Sequence, residues 1–379
     1  MTGYGGGMPS ESKPHHLLDE NLLKRAPKVL LHEHLDGGLR PSTCLDLAEL
    51  CGYEGLPADE PEALAACFAE GADRKSLPLY LEGFGHTIAV MQTEEALSRC
   101  AREAVEDLAA DGVVYAELRF APHFHTASGL GLQAVMEAVL DGLAQGSRST
   151  GITARLLVCA MRNEDPELSE KLAALAIRYR DAGCGGFDLA GEEAGHPANH
   201  HVRAFQLVQR ENFSITIHAG ESFGPASIWQ ALQFCGAHRI GHGVRLVEDL
   251  EPEAEGRLAQ YVLDHRIPLE VCLSSNVHTG ATQSLATHQF PKLWEGGYRV
   301  TLNTDNRLMS ATTMTKEYRL AHEHYGLDLN DLEKIAINGM KSAFAPYSDR
   351  IRLIYDAIKP GYATLRAELE IAERHPHHR

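Results

Sequence analysis

In the stretch Leu31-His32-Glu33-His34-Leu35-Asp36-Gly37, two histidines stand one residue apart, directly after the apolar run Val29-Leu30-Leu31. Such a run reads as a strand. Side chains alternate along a strand, so His32 and His34 share one face while Leu31 and Glu33 share the other. Two neutral imidazoles at a strand's carboxyl end can bind one metal ion. With 21 histidines in the chain, one such pair is also an easy coincidence.

Three later segments supply the same kinds of group. Ser214-Ile215-Thr216-Ile217-His218-Ala219-Gly220-Glu221 reads as a strand that turns Ser214, Thr216 and His218 to one side, with Glu221 just past its end. Arg239-Ile240-Gly241-His242-Gly243 sets a histidine between glycines, where crowding is relieved and a ligand can come close. Val300-Thr301-Leu302-Asn303-Thr304-Asp305-Asn306 places Thr301, Asn303 and Asp305 on one face. Each has a plain structural explanation when taken alone. His218 could be a hydrogen-bonded core residue, Glu221 an acidic first helical turn, His242 part of a Gly-rich turn and Asp305 a helix cap. Together, neutral histidines and a carboxylate without thiolate form the donor set of a catalytic zinc site with a position open for water.

The elements that must position these groups alternate along the chain. Strand candidates are Val29–His34, Val113–Phe120, Arg155–Met161, Gly186–Leu189, Ser214–His218, Arg239–Gly241, Pro268–Leu273 and Arg299–Asn303. Helical patterns fall between them at Thr43–Cys51, Thr93–Asp111, Gly131–Thr150, Pro166–Ala182, Val202–Asn212, Pro225–Phe234, Glu253–Asp264 and Phe290–Trp294. Eight strand–helix repeats without a linker predict one α/β domain, a (β/α)8 TIM barrel, over residues 17–373. Every candidate then lies at the carboxyl end of a barrel strand, where barrel enzymes carry their active sites. The insertion over roughly residues 40–110 exceeds one connecting helix and predicts extra helices over the barrel mouth. Further helices are expected from Asp331 to about Glu373. The Gly- and Ser-rich residues 1–16 are expected to be disordered, and residues 374–379 to be a frayed tail.

Composition narrows the partners. A net charge of −17 opposes nucleic acid and anionic membrane and favours small neutral or cationic ligands. No run approaches the ~18 apolar residues of a membrane span. Eight cysteines without a C-x-x-C pair, several inside apolar runs, fit buried free thiols in a reducing compartment. A cytoplasmic protein is expected.

The order H-x-H, His, His, Asp is that of the amidohydrolase superfamily, and the details resemble the adenosine deaminase family. His32-x-His34-Leu35-Asp36-Gly37, His218-Ala219-Gly220-Glu221, Gly241-His242-Gly243 and Asn303-Thr304-Asp305 are similar to its four signatures. Ser76-Leu77-Pro78 with Phe84, Glu117-Leu118-Arg119-Phe120-Ala121-Pro122-His123 and Asp188-Leu189-Ala190-Gly191-Glu192-Glu193 also match its pattern, from about Pro27 to about Ser342. The resemblance implies a purine nucleoside as the small-molecule partner and one Zn2+ held by His32, His34, His218 and Asp305. It implies that His242 orients the attacking hydroxide, that Asp305 helps take its proton, and that Glu221 protonates purine N1. Asp36 would bind the ribose 5′-hydroxyl, the Gly191 backbone would meet N3, and Leu77, Tyr80, Leu81 and Phe84 would form an apolar lid. His34 would border the substrate as well as the metal.

Two details refine the expectation. Two-metal relatives bridge their ions with a modified Lys at the end of strand four, and Gly185–Gly191 contains none, so a single ion is expected. Asn306 stands where the common pattern has a second Asp; its amide would donate to N7 at any pH. Rival substrates are adenine and 5′-modified adenosines such as aminodeoxyfutalosine, whose deaminases tend to carry Glu in place of Asp36. A catalytically silent nucleoside-binding barrel would have lost a ligand or Glu221, and neither is lost.

Overall fold

The computed structural model describes residues 18–251 and 256–374. Eight strands run parallel in chain order: β1 Lys28–His34, β2 Val113–Phe120, β3 Thr153–Met161, β4 Cys184–Ala190, β5 Ser214–Ala219, β6 Arg239–His242, β7 Leu269–Val271 and β8 Val300–Leu302. The expected barrel is present, with strands seven and eight shorter than anticipated. Of the expected tail 374–379, Arg374 closes the last helix; residues 375–379 and 1–16 lie outside the described residues, as do residues 252–255 within the pattern read as Glu253–Asp264.

The shortness of β8 follows from how the barrel closes. β8 meets β1 through a bridge between Glu33 and Asp305. There His34 N–H donates to the Asp305 carbonyl at 2.7 Å, and Asp305 N–H donates to the His32 carbonyl at 2.9 Å. One step earlier, Leu31 N–H donates at 2.9 Å to the side-chain oxygen of Asn303 rather than to backbone. A side-chain amide thus stands in for one rung of the ladder and lets the chain swing Asp305 inward.

The expected insertion consists of helices Pro41–Cys51, Pro61–Ala72, Leu77–Leu81, Phe84–Val90 and Glu94–Ala110. Helix Glu94–Ala110 lies against Leu132–Thr150 so closely that a Cβ on Gly142 would collide with the Ser98 carbonyl. At the far end, Leu329–Ser342 packs beside β1 and β8. It is followed by Tyr347–Leu353, which passes through a π turn at Ile354–Ile358 into Lys359–Arg374. Helix starts follow their caps: Asp19, Thr93, Asp165, Thr313 and Asp328 each accept a first-turn N–H. No helix among the described residues is long and apolar enough to cross a membrane. All eight cysteines are free, and six are buried.

The outward faces of the strands are mostly apolar and packed by helices, Glu33 with its partner Arg307 being the exception, whereas the barrel interior is charged. Arg239 on β6 reaches across to Glu117 on β2, and Arg119 on β2 reaches Asp188 on β4 at 2.9 Å and Glu270 on β7 at 3.0 Å. Arg239 also pairs with Glu270. Desolvating these groups is costly, and mutual pairing is what offsets it. Truncating one partner strands the others, so Arg239→Met is predicted to destabilise the fold by about 3–5 kcal/mol. Urea unfolding of wild type and variant would measure this, and a loss below about 1 kcal/mol would contradict the coupling.

Candidate active site

The strand ends bring the predicted residues together. His32 Nε2 lies 3.2 Å and His34 Nε2 3.4 Å from Asp305 Oδ1, and His34 Nε2 lies 3.1 Å from His218 Nε2. His32, His218, His242 and Asp305 offer ligand atoms within 4.8 Å of one another; this set has His242 in place of the expected ligand His34, whose Nε2 still reaches Asp305 and His218. All four are buried.

Neighbouring groups fix which nitrogens carry protons. His32 Nδ1 lies 2.8 Å from Glu270 Oε2. Burial alone would raise the Glu270 pKa, but Arg239 and Arg119 overcome it and hold the carboxyl well below its usual range. Glu270 therefore accepts, His32 Nδ1 carries the proton, and the Nε2 lone pair faces the Asp305 oxygen. His218 repeats this with Nδ1 at 3.1 Å from Asp188 Oδ2. Asp188 too is kept ionised against burial, by His218 and Arg119. His32 Nε2 has no hydrogen-bond partner although buried. Imidazole lone pairs and a carboxylate oxygen pointed at one another repel unless a cation lies between them, so the residues fit a metal ion.

His242 is set differently. Asn276 Oδ1 faces Cys272 N–H at 3.4 Å, so its NH2 is the end that donates to His242 Nδ1 at 3.0 Å. The proton of His242 is then on Nε2, which lies 3.6 Å from Glu221 Oε2. Burial raises the Glu221 pKa, with His242 opposing and Asp305 adding to the rise, and Oε1 of this carboxyl is buried without a partner. The loop bearing Glu221 is held by Glu193, whose carboxylate accepts from the N–H groups of Gly220, Glu221, Ser222 and Phe223 at 2.6–3.1 Å. The backbone is strained where the strands end: His242 and Asp305 have φ of +60° and +61°.

A cavity of about 880 Å³, counted out to solvent, opens in front of these groups. His34, Asp36, Gly191, His218, Glu221 and Asp305 line it, and the lid residues Leu77, Tyr80, Leu81 and Phe84 face it from the insertion. His32 and His242 sit behind this wall. Asn306 is also outside the lining, packed so closely that a Cβ on Gly37 would collide with its Oδ1. Asp36 Oδ1 is buried and unpartnered, and its Oδ2 lies 3.7 Å from His125 Nε2.

Sequence reasoning gave no role to Glu270, Glu193, Asp188, Asn276, His125 or Ser275, whose Oγ donates to Asp305 Oδ2 at 2.6 Å. Glu270 had a signal: a carboxylate in the middle of Leu269-Glu270-Val271 has to find a partner inside a sheet.

Two outcomes follow. One equivalent of a divalent transition ion is expected to raise the Tm of chelator-treated protein, and His218→Ala should lose that rise; uptake of two equivalents by wild type would contradict the single centre. Glu193→Gln, which replaces one accepting oxygen with a donor, should speed amide exchange across residues 220–223 without changing metal uptake, and unchanged exchange would remove Glu193 from the loop's support.

The Adenosine deaminase family pattern matches residues 27–360. The chain is 53% identical over 358 residues to an adenosine deaminase of Mycobacteroides abscessus, covering 92% of this chain and 98% of that one. In three dimensions it resembles the adenine deaminase of Arthrobacter aurescens, with a TM-score of 0.80 and 26% identity over 89% of this chain and 98% of that one. It also resembles Arabidopsis ADAL complexed with IMP, with a TM-score of 0.78 and 30% identity over 91% and 100%. With a family match over most of its length and the donor set assembled at the strand ends of a (β/α)8 barrel, the chain belongs to the adenosine deaminase family.

Proposed function

We propose that this protein hydrolytically deaminates adenosine and 2′-deoxyadenosine, giving inosine or deoxyinosine and ammonia. The observation that carries the reading is the Glu221 carboxyl: buried, pushed up in pKa by that burial, facing the cavity, with one oxygen unpartnered. A carboxyl whose neutral form is favoured by burial can donate to a purine ring nitrogen.

His32, His34, His218 and Asp305 would hold one Zn2+, which when bound lowers the pKa of water towards neutrality. A second ion is not called for, because β4 offers no Lys and its inward carboxylate, Asp188, is engaged by Arg119 and His218. Glu221 gives its proton to N1, which draws electron density from C6. His242 Nε2–H orients the oxygen nucleophile on the C6 face, and Asp305 helps take its proton. The C6 amino group then takes up the proton passed by Asp305 and leaves as ammonia, while the new C6 oxygen returns its second proton to Glu221 and remains as the oxo group. Leu77, Tyr80, Leu81 and Phe84 exclude bulk water, the Gly191 backbone meets N3, and Asn306 would donate to N7. Six buried thiols suit a reducing cytoplasm as the place of this activity.

The free oxygen of Asp36 favours a nucleoside over both a nucleotide and a free base, since it can accept the ribose 5′-hydroxyl. Among the described residues no Lys or Arg lines the cavity, so nothing in its wall would pair with a phosphate. In the adjoining groove, Lys75 and Arg245 are engaged by Asp73 and Glu248.

Glu221→Gln should retain fold and zinc and lose about 10²–10⁴ in kcat, because the amide cannot protonate N1. Near-normal turnover in a zinc-replete variant would move the acid elsewhere. Wild type should prefer adenosine to 5′-deoxyadenosine and adenine by about tenfold or more in kcat/KM, and Asp36→Ala should erase most of that gap. A wild-type preference for adenine or a bulky 5′-modified nucleoside would overturn the adenosine reading while leaving the aminohydrolase chemistry intact.

A further inference from the structure

The opposite mouth of the barrel carries an unassigned hollow of about 820 Å³, counted out to solvent. It lies at the amino-terminal ends of β5 to β8, and no Asp or Glu lines it. Its wall includes His238, Arg266, Arg299, Lys341 and Arg350, and Arg239 shares it. Arg239 is engaged by Glu117 and Glu270. The other arginines meet no carboxylate among the contacts of the described residues: Arg266 donates to the Gly297 carbonyl at 2.6 Å and Arg350 to the Lys341 carbonyl at 2.9 Å. Nε of Arg299 and Nε of Arg350 are buried with no partner at all.

His238 adds a neutral donor. Its Nδ1 accepts from Ile215 N–H at 3.0 Å, so the ring proton is on Nε2. Burial, and to a lesser degree the neighbouring Arg266, lower the Arg299 pKa. Grouping cations around one hollow that no carboxylate lines is unfavourable until an anion joins them. Guanidinium forks match the oxygen geometry of phosphate in particular.

We propose that this hollow binds a phosphate group, free or carried on a small nucleotide, through Arg266, Arg299, Lys341 and Arg350. The site is a compact pocket at the face opposite the catalytic cavity. The strongly negative net charge sets it apart from an extended polyanion surface.

The test is calorimetric titration of inorganic phosphate, pyrophosphate and AMP into the zinc-loaded protein, at an ionic strength held constant with sodium chloride. Saturable binding is expected, weakened about tenfold or more in the double variant Arg266→Ala/Arg299→Ala, with adenosine turnover in the absence of the anion unchanged. Should the double variant lose turnover and so report misfolding, Lys341→Ala, at an exposed position, decides the matter in the same way. AMP binding tighter than phosphate assigns the site to a nucleotide, and equal binding assigns it to the phosphate group itself. Heats no larger than those of matched chloride, affinity unchanged in the folded variants, or displacement by saturating inosine would overturn the proposal.

Discussion

One carboxylate sits at the crossing point of the barrel interior. Glu270 accepts from His32 Nδ1, both arginines and the Thr216 hydroxyl, the last at 3.0 Å. Buried ions are tolerated only when each is paired and hydrogen-bonded, so the four donors hold Glu270 as much as it holds them. The same contact aims the free lone pair of His32 at Asp305. Stability of the barrel and orientation of the metal-type centre are therefore one network. Its formal charges are unequal: Arg119 and Arg239 face Glu117, Asp188, Glu270 and Asp305. That excess of negative charge is the electrostatic setting a divalent cation would complete.

Strands and loops divide the remaining work. The strands fix His32, His34, His218 and His242 to rigid backbone, as a preorganised centre requires. Glu221, the proposed acid, lies beyond a strand end, on a loop whose successive N–H groups converge on Glu193. The apolar wall is supplied by the insertion after β1, which adds helices without disturbing the ladder.

Much of this was legible in the sequence because periodicity and residue type agree there. Ile215 and Ile217 face helices while Thr216 and His218 face inward, as alternation required, and Thr216 indeed reaches Glu270. The eight repeats gave the barrel for the same reason. What stayed hidden depends on contacts between residues far apart in the chain. No local pattern shows that Glu193 lies under residue 221 or that Arg239 spans the barrel to Glu117. The early end of β8 was missed because a side chain, Asn303, substitutes for backbone. Asn306 was read as donating to substrate from its place after Asp305; that its Oδ1 end packs on Gly37 comes from the turn between them and has no local signal.

The left-handed backbone at His242 and Asp305 constrains what this family's architecture can become. Asn, Asp, His and Gly are the residues that occupy such a conformation most readily. A longer carboxylate at 305 would have to bear the steric penalty of the turn as well as overfill the space before His32. Drift at these two positions is thereby confined to a small alphabet by geometry alone, before any selection on turnover acts. New chemistries on this barrel are correspondingly easier to reach by altering the lid helices and the rim than by exchanging the groups at the ends of β6 and β8.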